Sequence, residues 1–164
     1  MPHLISSTNQ RAEPPQPPRG ASGLPPLVLV IEDHEDTRVL YRYLLESSGL
    51  RVVEAANGEQ GVSIAQLTRP DLILMDTSLP HVDGLTATHR IRELRGLSDV
   101  PIIFLSGHAQ PQARQAALES GGNDYLVKPV DPGEFELMVQ RYLHHPAPPS
   151  VDRNINQRCQ LKVT

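Results

Sequence analysis

Short runs of apolar residues alternate with longer amphipathic segments through the middle of the chain. Unbroken apolar runs of this length are typical of strands that are covered on both faces of a parallel sheet. The pattern predicts strands at residues 27–31, 72–76 and 101–105, with a short strand candidate at 51–55 and a shorter strand at 125–127. The third run places a single carboxylate, Asp76, at the point where its apolar residues stop.

Each predicted strand is followed by a segment with apolar residues at helical spacing. The predicted helices cover about 35–48, 59–67, 85–94 and 111–120, and a fifth begins near 132. Strand and helix therefore alternate five times, which predicts an α/β domain with a parallel sheet, helices on both faces and right-handed crossovers.

Local signals mark several of these boundaries. Gly49 is expected to end the first helix in a left-handed conformation, and Asn57-Gly58 indicates a turn. Asp131-Pro132 with Glu134 has the form of a capping box at the start of the last helix. The predicted core faces are Val39, Leu40, Tyr43 and Leu44 for the first helix, and Phe135, Met138, Val139 and Tyr142 for the last.

Composition divides the 164 residues into one folded domain and two tails. Residues 1–26 are rich in proline, so we expect a disordered tail there, acting as a solubilising leader or as a docking segment for a proline-reading partner. The folded domain is predicted to span 27–145, and 146–164 is expected to be a second flexible tail.

The net charge of −4 gives no electrostatic reason to expect nucleic-acid binding. The sequence has no apolar segment of membrane-spanning length and no signal-peptide pattern. Cys159 is the only cysteine, which excludes an internal disulfide. We therefore expect a cytoplasmic protein with no membrane partner.

Polar residues follow four of the predicted strands. They are Glu32 and Asp33, Asp76, Ser106 and Lys128. The carboxyl ends of parallel strands share one edge of a sheet, where ligands bind. Three carboxylates gathered there would repel one another without a cation, and their oxygens suit Mg²⁺.

This set of residues suits phosphoryl transfer. The carboxylate of Asp76 is the candidate nucleophile, since attack on phosphorus gives an acyl phosphate. Lys128 would supply a positive charge to one phosphoryl oxygen, and Ser106 a hydrogen bond to another.

Four motifs, in this order, resemble the receiver domain of two-component response regulators. They are LVIED at 29–33, LMD at 74–76 with Pro80 and Asp83-Gly84 behind it, LSG at 105–107 and GNDYLVKP at 122–129. The resemblance covers 27–145 and implies a flavodoxin-like (βα)5 fold with strand order 2-1-3-4-5.

The resemblance also implies how the site works. Asp76 would be phosphorylated by a histidine kinase or a histidine phosphotransfer protein. Mg²⁺ would be held by Asp33, Asp76 and the backbone carbonyl of Ser78, with Glu32 assisting through water.

Further implied features concern the phosphoryl group and the switch, which is the pair of residues that relays phosphorylation to the surface. The N–H groups of Thr77 and Gly107 would contact the phosphoryl group, and the 128–129 peptide bond would be cis. Ser106 and Tyr125 would couple phosphorylation to the surface of residues 111–143, where such domains dimerise or meet a downstream protein target. Ser78 and His108 occupy positions that influence acyl-phosphate lifetime in the family.

These features favour a stand-alone phosphoacceptor that signals by protein contact and turns over no external substrate. One alternative is a receiver-like interaction module that does not use phosphate. Another is a phosphatase with an aspartate nucleophile, although such enzymes typically carry a second Asp where this chain has Ser78. A flavin-binding protein is less well supported, because the loop after the first strand is acidic.

The histidines lack metal-ligand spacing within any one predicted element. We interpret five of them as surface residues, with His108 alone near the site: His34, His81, His108, His144 and His145.

Overall fold

The computed structural model describes residues 23–144, which form a five-stranded parallel sheet with helices on both faces. The strands are β1 (Leu27–Ile31), β2 (Arg51–Ala55), β3 (Leu72–Asp76), β4 (Ile102–Ser106) and β5 (Asp124–Val127). The helices are α1 (Glu35–Ser47), α2 (Gly58–Thr68), α3 (Gly84–Glu93), α4 (Pro111–Glu119) and α5 (Pro132–His144). The strand order is β2-β1-β3-β4-β5, which confirms the predicted flavodoxin-like fold.

The register of the strands brings their carboxyl ends to the same edge of the sheet. Ile31 at the end of β1 pairs with Met75, and Asp76 at the end of β3 pairs with Leu105. Ser106 at the end of β4 pairs with Val127, the last residue of β5. The residues that follow these strands therefore begin from neighbouring positions.

The core lies in two layers, one on each face of the sheet. Along β3, Ile73 and Met75 belong to the layer that includes residues of α2 and α3. Leu72 and Leu74 belong to the opposite layer, with residues of α1 and α5. Every residue of β3 is buried, which explains why its sequence has no polar alternation.

The predicted core face of α1 is wrong for Val39, Leu40 and Tyr43, whereas Leu44 packs against the core as predicted. Leu40 and Tyr43 are 53% and 68% exposed, while Tyr41 and Leu45 are the buried residues of this helix. Tyr41 stacks on Phe135 of α5, with ring centroids 5.2 Å apart. The inward face of α1 therefore packs in the layer that also holds residues of β1 and α5. The predicted face of α5 is confirmed, with Phe135 and Val139 buried.

One helix boundary differs from its sequence signal, and another agrees with it. Asn57 caps α2, because its side-chain oxygen accepts a hydrogen bond from Gln60 N–H at 2.9 Å. The Asn-Gly pair therefore begins a helix, and Gly58 is its first residue. The expected cap of α5 is present, since Glu134 N–H donates to Asp131 Oδ1 at 3.0 Å.

Residues 1–22 and 145–164 lie outside the described part of the chain. They include most of the first predicted tail and all of the second. Just before β1, the carbonyl oxygen of Pro26 accepts a hydrogen bond from Arg51 N–H at 2.9 Å. Between residues 23 and 144, no helix has the length and apolar character needed to cross a membrane.

Candidate functional site

Two buried carboxylates lie at the carboxyl edge of the central strands. Asp76 is the last residue of β3 and is 5% exposed, and Glu32 directly follows β1 and is 2% exposed. Their burial follows from the topology, because β1 and β3 are flanked by other strands on both sides. Asp33, the next residue along the chain, is exposed. The edge therefore carries two carboxylates with little access to water and one with more.

Lys128 lies between the two buried carboxylates. Its Nζ is 2.6 Å from Glu32 Oε2 and 3.3 Å from Asp76 Oδ1. The backbone fixes the position of this lysine, because Lys128 N–H donates to the carbonyl oxygen of Ser106 at 2.7 Å. The peptide bond between Lys128 and Pro129 is cis, as the resemblance implied. Residues from three separate segments thus meet around one ammonium group.

The electrostatics of this cluster leave negative charge uncompensated. Burial raises the pKa of Glu32, and the neighbouring Asp76 adds to this effect, although the hydrogen bond from Lys128 opposes it. For Lys128, burial favours the neutral amine, but Glu32 and Asp76 outweigh it and the pKa is raised. One ammonium group therefore faces two buried carboxylates, and Asp33, which follows Glu32 in sequence, adds a third carboxylate to this edge.

The hydroxyl group of Ser106 is held by the loops around the site. Ser106 is fully buried, and its Oγ accepts hydrogen bonds from Thr77 Oγ1 at 2.8 Å and from His108 N–H at 3.1 Å. Ser78 N–H donates to Asp76 Oδ1 at 3.3 Å. The loops after β3 and β4 are thus joined through side chains beside the buried carboxylate.

Tyr125 connects the same region to β5. Its side chain is 4% exposed, and its hydroxyl group donates to the carbonyl oxygen of His108 at 2.6 Å. The loop after β4 is therefore bonded both to Ser106 and to the ring that the resemblance assigns to the switch. The exposed face of α4, at the predicted contact surface, includes a cavity of about 440 Å³ lined by Arg114 and Leu118.

The side chains after β1 include a group that the sequence interpretation missed. One ligand atom each from Glu32, Asp33 and His34 lie within 4.8 Å of one another. The interpretation of His108 as the one histidine near the site is therefore wrong. It considered histidine spacing within single elements, whereas His34 comes close to the carboxylates through the turn between β1 and α1. Its position directly after the acidic pair was the available signal.

The donor set suits a hard divalent cation. Carboxylate oxygens are the preferred protein ligands of Mg²⁺, and the buried pair has one ammonium group for two carboxylates. A cation would relieve the charge that burial leaves uncompensated on Glu32. The residues present therefore fit the metal that the sequence predicted.

Comparison with known proteins gives matches over the described domain. A sequence model of the response regulator receiver domain matches residues 28–140. A 14.6 kDa protein encoded in the sodA1 3′ region of Leptolyngbya boryana is 43% identical over 115 residues, which are 70% of this chain and 88% of that protein. The KDP operon transcriptional regulatory protein KdpE of Escherichia coli is 40% identical over 113 residues, 69% of this chain. The chain spans only 49% of the length of KdpE.

A solved structure with a similar fold is the receiver domain of the sensor histidine kinase PA1611 from Pseudomonas aeruginosa. It superposes with a TM-score of 0.69 at 38% identity, covering 73% of this chain and 98% of that one. That receiver domain holds a magnesium ion coordinated in its active-site cleft.

Proposed function

This chain belongs to the response regulator receiver domain family, and we propose that Asp76 accepts a phosphoryl group from a histidine kinase or a histidine phosphotransfer protein. The observation that supports this role most directly is the buried carboxylate of Asp76 at the carboxyl edge of β3, 3.3 Å from the ammonium group of Lys128. A carboxylate in this position has a fixed positive charge beside it, which is the arrangement that a phosphoacceptor requires.

The proposed transfer has a simple electron balance. A carboxylate oxygen of Asp76 attacks phosphorus, and a P–O bond forms as the P–N bond of the phosphohistidine breaks. The bonding electrons stay on the ring nitrogen, and the ring, protonated at its other nitrogen, leaves as neutral imidazole. Lys128 then pairs with a phosphoryl oxygen of the acyl phosphate.

We assign the cation of this site to Mg²⁺, with Asp33, Asp76 and the backbone carbonyl of Ser78 as ligands and Glu32 acting through water. When bound, Mg²⁺ neutralises charge on the phosphoryl group during transfer. Two observations support the assignment. Lys128 does not fully compensate the buried carboxylates of Glu32 and Asp76, and the PA1611 receiver domain holds a magnesium ion in its active-site cleft.

The hydrogen bonds around Ser106 suggest how the signal leaves the site. A phosphoryl group on Asp76 would offer Ser106 a charged acceptor in place of its contact with Thr77, and the N–H group of Gly107 would contact the same phosphoryl group. The N–H group of Thr77, which the resemblance also assigns to this contact, instead donates to the carbonyl oxygen of Leu105 at 3.2 Å. Movement of the loop after β4 would reach Tyr125 through its bond to His108. This local change in charge would bias a packed element between two arrangements.

We propose that the output is a change in protein contacts, to a downstream protein target or a second copy, through the surface of residues 111–143. The net charge of −4 gives no electrostatic support for nucleic-acid binding as the output.

Mass spectrometry of the full chain after incubation with phosphoramidate and Mg²⁺ tests the proposal. We expect the mass of one phosphoryl group to be gained by the wild type and by Asp131→Asn, and to be absent in Asp76→Asn. Asp131 is a suitable control because it is exposed and caps α5, a role that Asn also fills. A wild type that gains no mass would instead favour the phosphate-independent interaction module.

The phosphatase alternative makes a different prediction. It needs a second acid two positions after Asp76, where the chain has Ser78, whose N–H donates to Asp76. Multiple turnovers on a small phosphoester, lost in Asp76→Asn, would support a phosphatase and contradict the phosphoacceptor assignment.

A further inference from the structure

Thr77 joins the loop after β3 to the end of β4 through both of its donor groups. Its hydroxyl group donates to Ser106 Oγ at 2.8 Å, and its backbone N–H donates to the carbonyl oxygen of Leu105 at 3.2 Å. Its own carbonyl oxygen accepts a hydrogen bond from Gly84 N–H at 3.3 Å. The backbone of Thr77 is therefore fixed on both sides, and its hydroxyl group is held against Ser106.

The oxygen of Ser106 has two hydrogen-bond donors, and they come from different loops. Thr77 donates from the loop after β3, and His108 N–H donates from the loop after β4 at 3.1 Å. A hydroxyl oxygen has two lone pairs, so these two bonds use its full capacity as an acceptor. Because Ser106 is fully buried, water cannot readily replace a donor that is lost.

The bond from Thr77 and the proposed phosphorylation act on the same hydroxyl group from consecutive residues. Asp76 is the last residue of β3, and Thr77 directly follows it. An oxygen of Ser106 that moves toward a phosphoryl group on Asp76 leaves the position in which Thr77 and His108 hold it. The Thr77 bond therefore opposes the movement that phosphorylation favours.

We propose that Thr77 is a positioning residue of the switch, and that its hydroxyl group sets how readily Ser106 leaves its resting position. In the resting arrangement Ser106 bonds to Thr77 and His108, and in the second arrangement it lies where a phosphoryl group would meet it. The ratio of the two arrangements depends on their difference in free energy, and the Thr77 bond stabilises only the first. The inference rests on the proposed function, because the second arrangement is the one that an acyl phosphate favours.

Removing this hydroxyl group should favour the second arrangement even without a phosphodonor. Thr77→Val keeps a branched side chain but has no donor, whereas Thr77→Ser keeps the donor. A typical hydrogen bond changes a population ratio by about fivefold. We therefore expect Thr77→Val to raise the ratio of the second arrangement to the resting one by about fivefold, and Thr77→Ser to stay close to the wild type.

NMR relaxation dispersion of the Tyr125 ring measures this ratio on the full, unphosphorylated chain. The ring reports on Ser106 because its hydroxyl group donates to the carbonyl oxygen of His108, whose N–H donates to Ser106. The matched control is Thr68→Val on α2, which removes a hydroxyl group that donates to the carbonyl oxygen of Ile64 at 2.7 Å. The control should leave the Tyr125 ratio as in the wild type.

A double-mutant cycle with Ser106→Ala separates a direct role of Thr77 from a general loss of stability. Ser106→Ala has no hydroxyl group to hold, so adding Thr77→Val should leave its Tyr125 ratio unchanged. A wild-type ratio in Thr77→Val, or an equal effect of Thr77→Val with and without Ser106, would overturn the inference. These measurements use no phosphodonor, so a chain that gains no mass with phosphoramidate would overturn the proposed function alone.

Discussion

Replacing Lys128 by methionine removes the charge between Glu32 and Asp76 and keeps an unbranched side chain. Breaking a buried ion pair by removing one partner costs about 3–5 kcal/mol, because the remaining charge is left buried and unpaired. The side chain of Lys128 is 23% exposed, so water screens part of this cost. We therefore expect the free energy of unfolding to fall by about 2–3 kcal/mol in the absence of metal.

Urea denaturation of the wild type, Lys128→Met and Lys128→Arg measures this cost. Lys128→Arg keeps the charge and should lose less stability than Lys128→Met. Added Mg²⁺ should restore part of the stability of Lys128→Met, because the cation takes over the neutralisation of the carboxylates. Lys128→Met with wild-type stability in metal-free buffer would refute the assigned electrostatics.

The same variant has a predicted pH dependence. The folded-state pKa of Lys128 is raised, so its contribution is complete below the ordinary pKa of 10.5 and is lost only as pH rises through the folded value. In Lys128→Met, loss of the ammonium group should raise the pKa of Glu32 further. Protonation of Glu32 then relieves the repulsion, so the stability difference from the wild type should shrink as pH falls from neutral. A difference that grows on acidification would contradict this account.

Lys128 also links the phosphoryl group to the surface in the proposed function. We predict that Lys128→Ala, kept folded with Mg²⁺, uncouples phosphorylation from the surface change. The ring signals of Tyr125 in NMR spectra should then stay at their unphosphorylated positions when the acyl phosphate forms. A phosphorylation-dependent shift as large as that of the wild type would contradict the role of Lys128 as the link.

Two further predictions concern the helix that follows the site. Asp83 caps α3, and the hydrogen bond from the Thr86 backbone N–H lowers the pKa of its carboxyl group. The stabilisation from this cap is therefore present above the ordinary pKa of 3.8 and is lost as pH falls through the lower pKa of the folded state. Asp83→Ala should lower the free energy of unfolding by about 1 kcal/mol near neutral pH, and Asp83→Asn should lower it by less. Thermal unfolding measures both losses, and equal losses would exclude a capping role. A Cβ at Gly84 would overlap the carbonyl oxygen of Asp76. Gly84→Ala should therefore lower the free energy of unfolding, measured by urea denaturation, by about 1–3 kcal/mol or more. Gly107→Ala, which meets no atom within 4 Å, should be close to neutral, and equal stability of the two variants would contradict the overlap.

The sequence alone predicted the order of the strands and helices and the edge of the sheet at which the site residues lie. Unbroken apolar runs such as β3 can be accommodated only where both faces of a sheet are covered, and that condition fixes a parallel sheet with helices on both sides. Once the strands are parallel, a carboxylate such as Asp76 at the end of its run must lie at the common carboxyl edge. Strand order and the cis bond at 128–129 came from the resemblance.

Tertiary structure decided which side chains meet. Apolar residues lie on several sides of α1, so its sequence allowed either Leu40 or Tyr41 to face inward. In the fold Tyr41 is the buried one, and it stacks on Phe135. Lys128 and Glu32 are 96 positions apart, yet their charged atoms are 2.6 Å apart. Spacing along a chain determines local periodicity. Contacts between distant segments depend instead on how the crossovers bring the ends of β1, β3 and β5 to the same edge of the sheet.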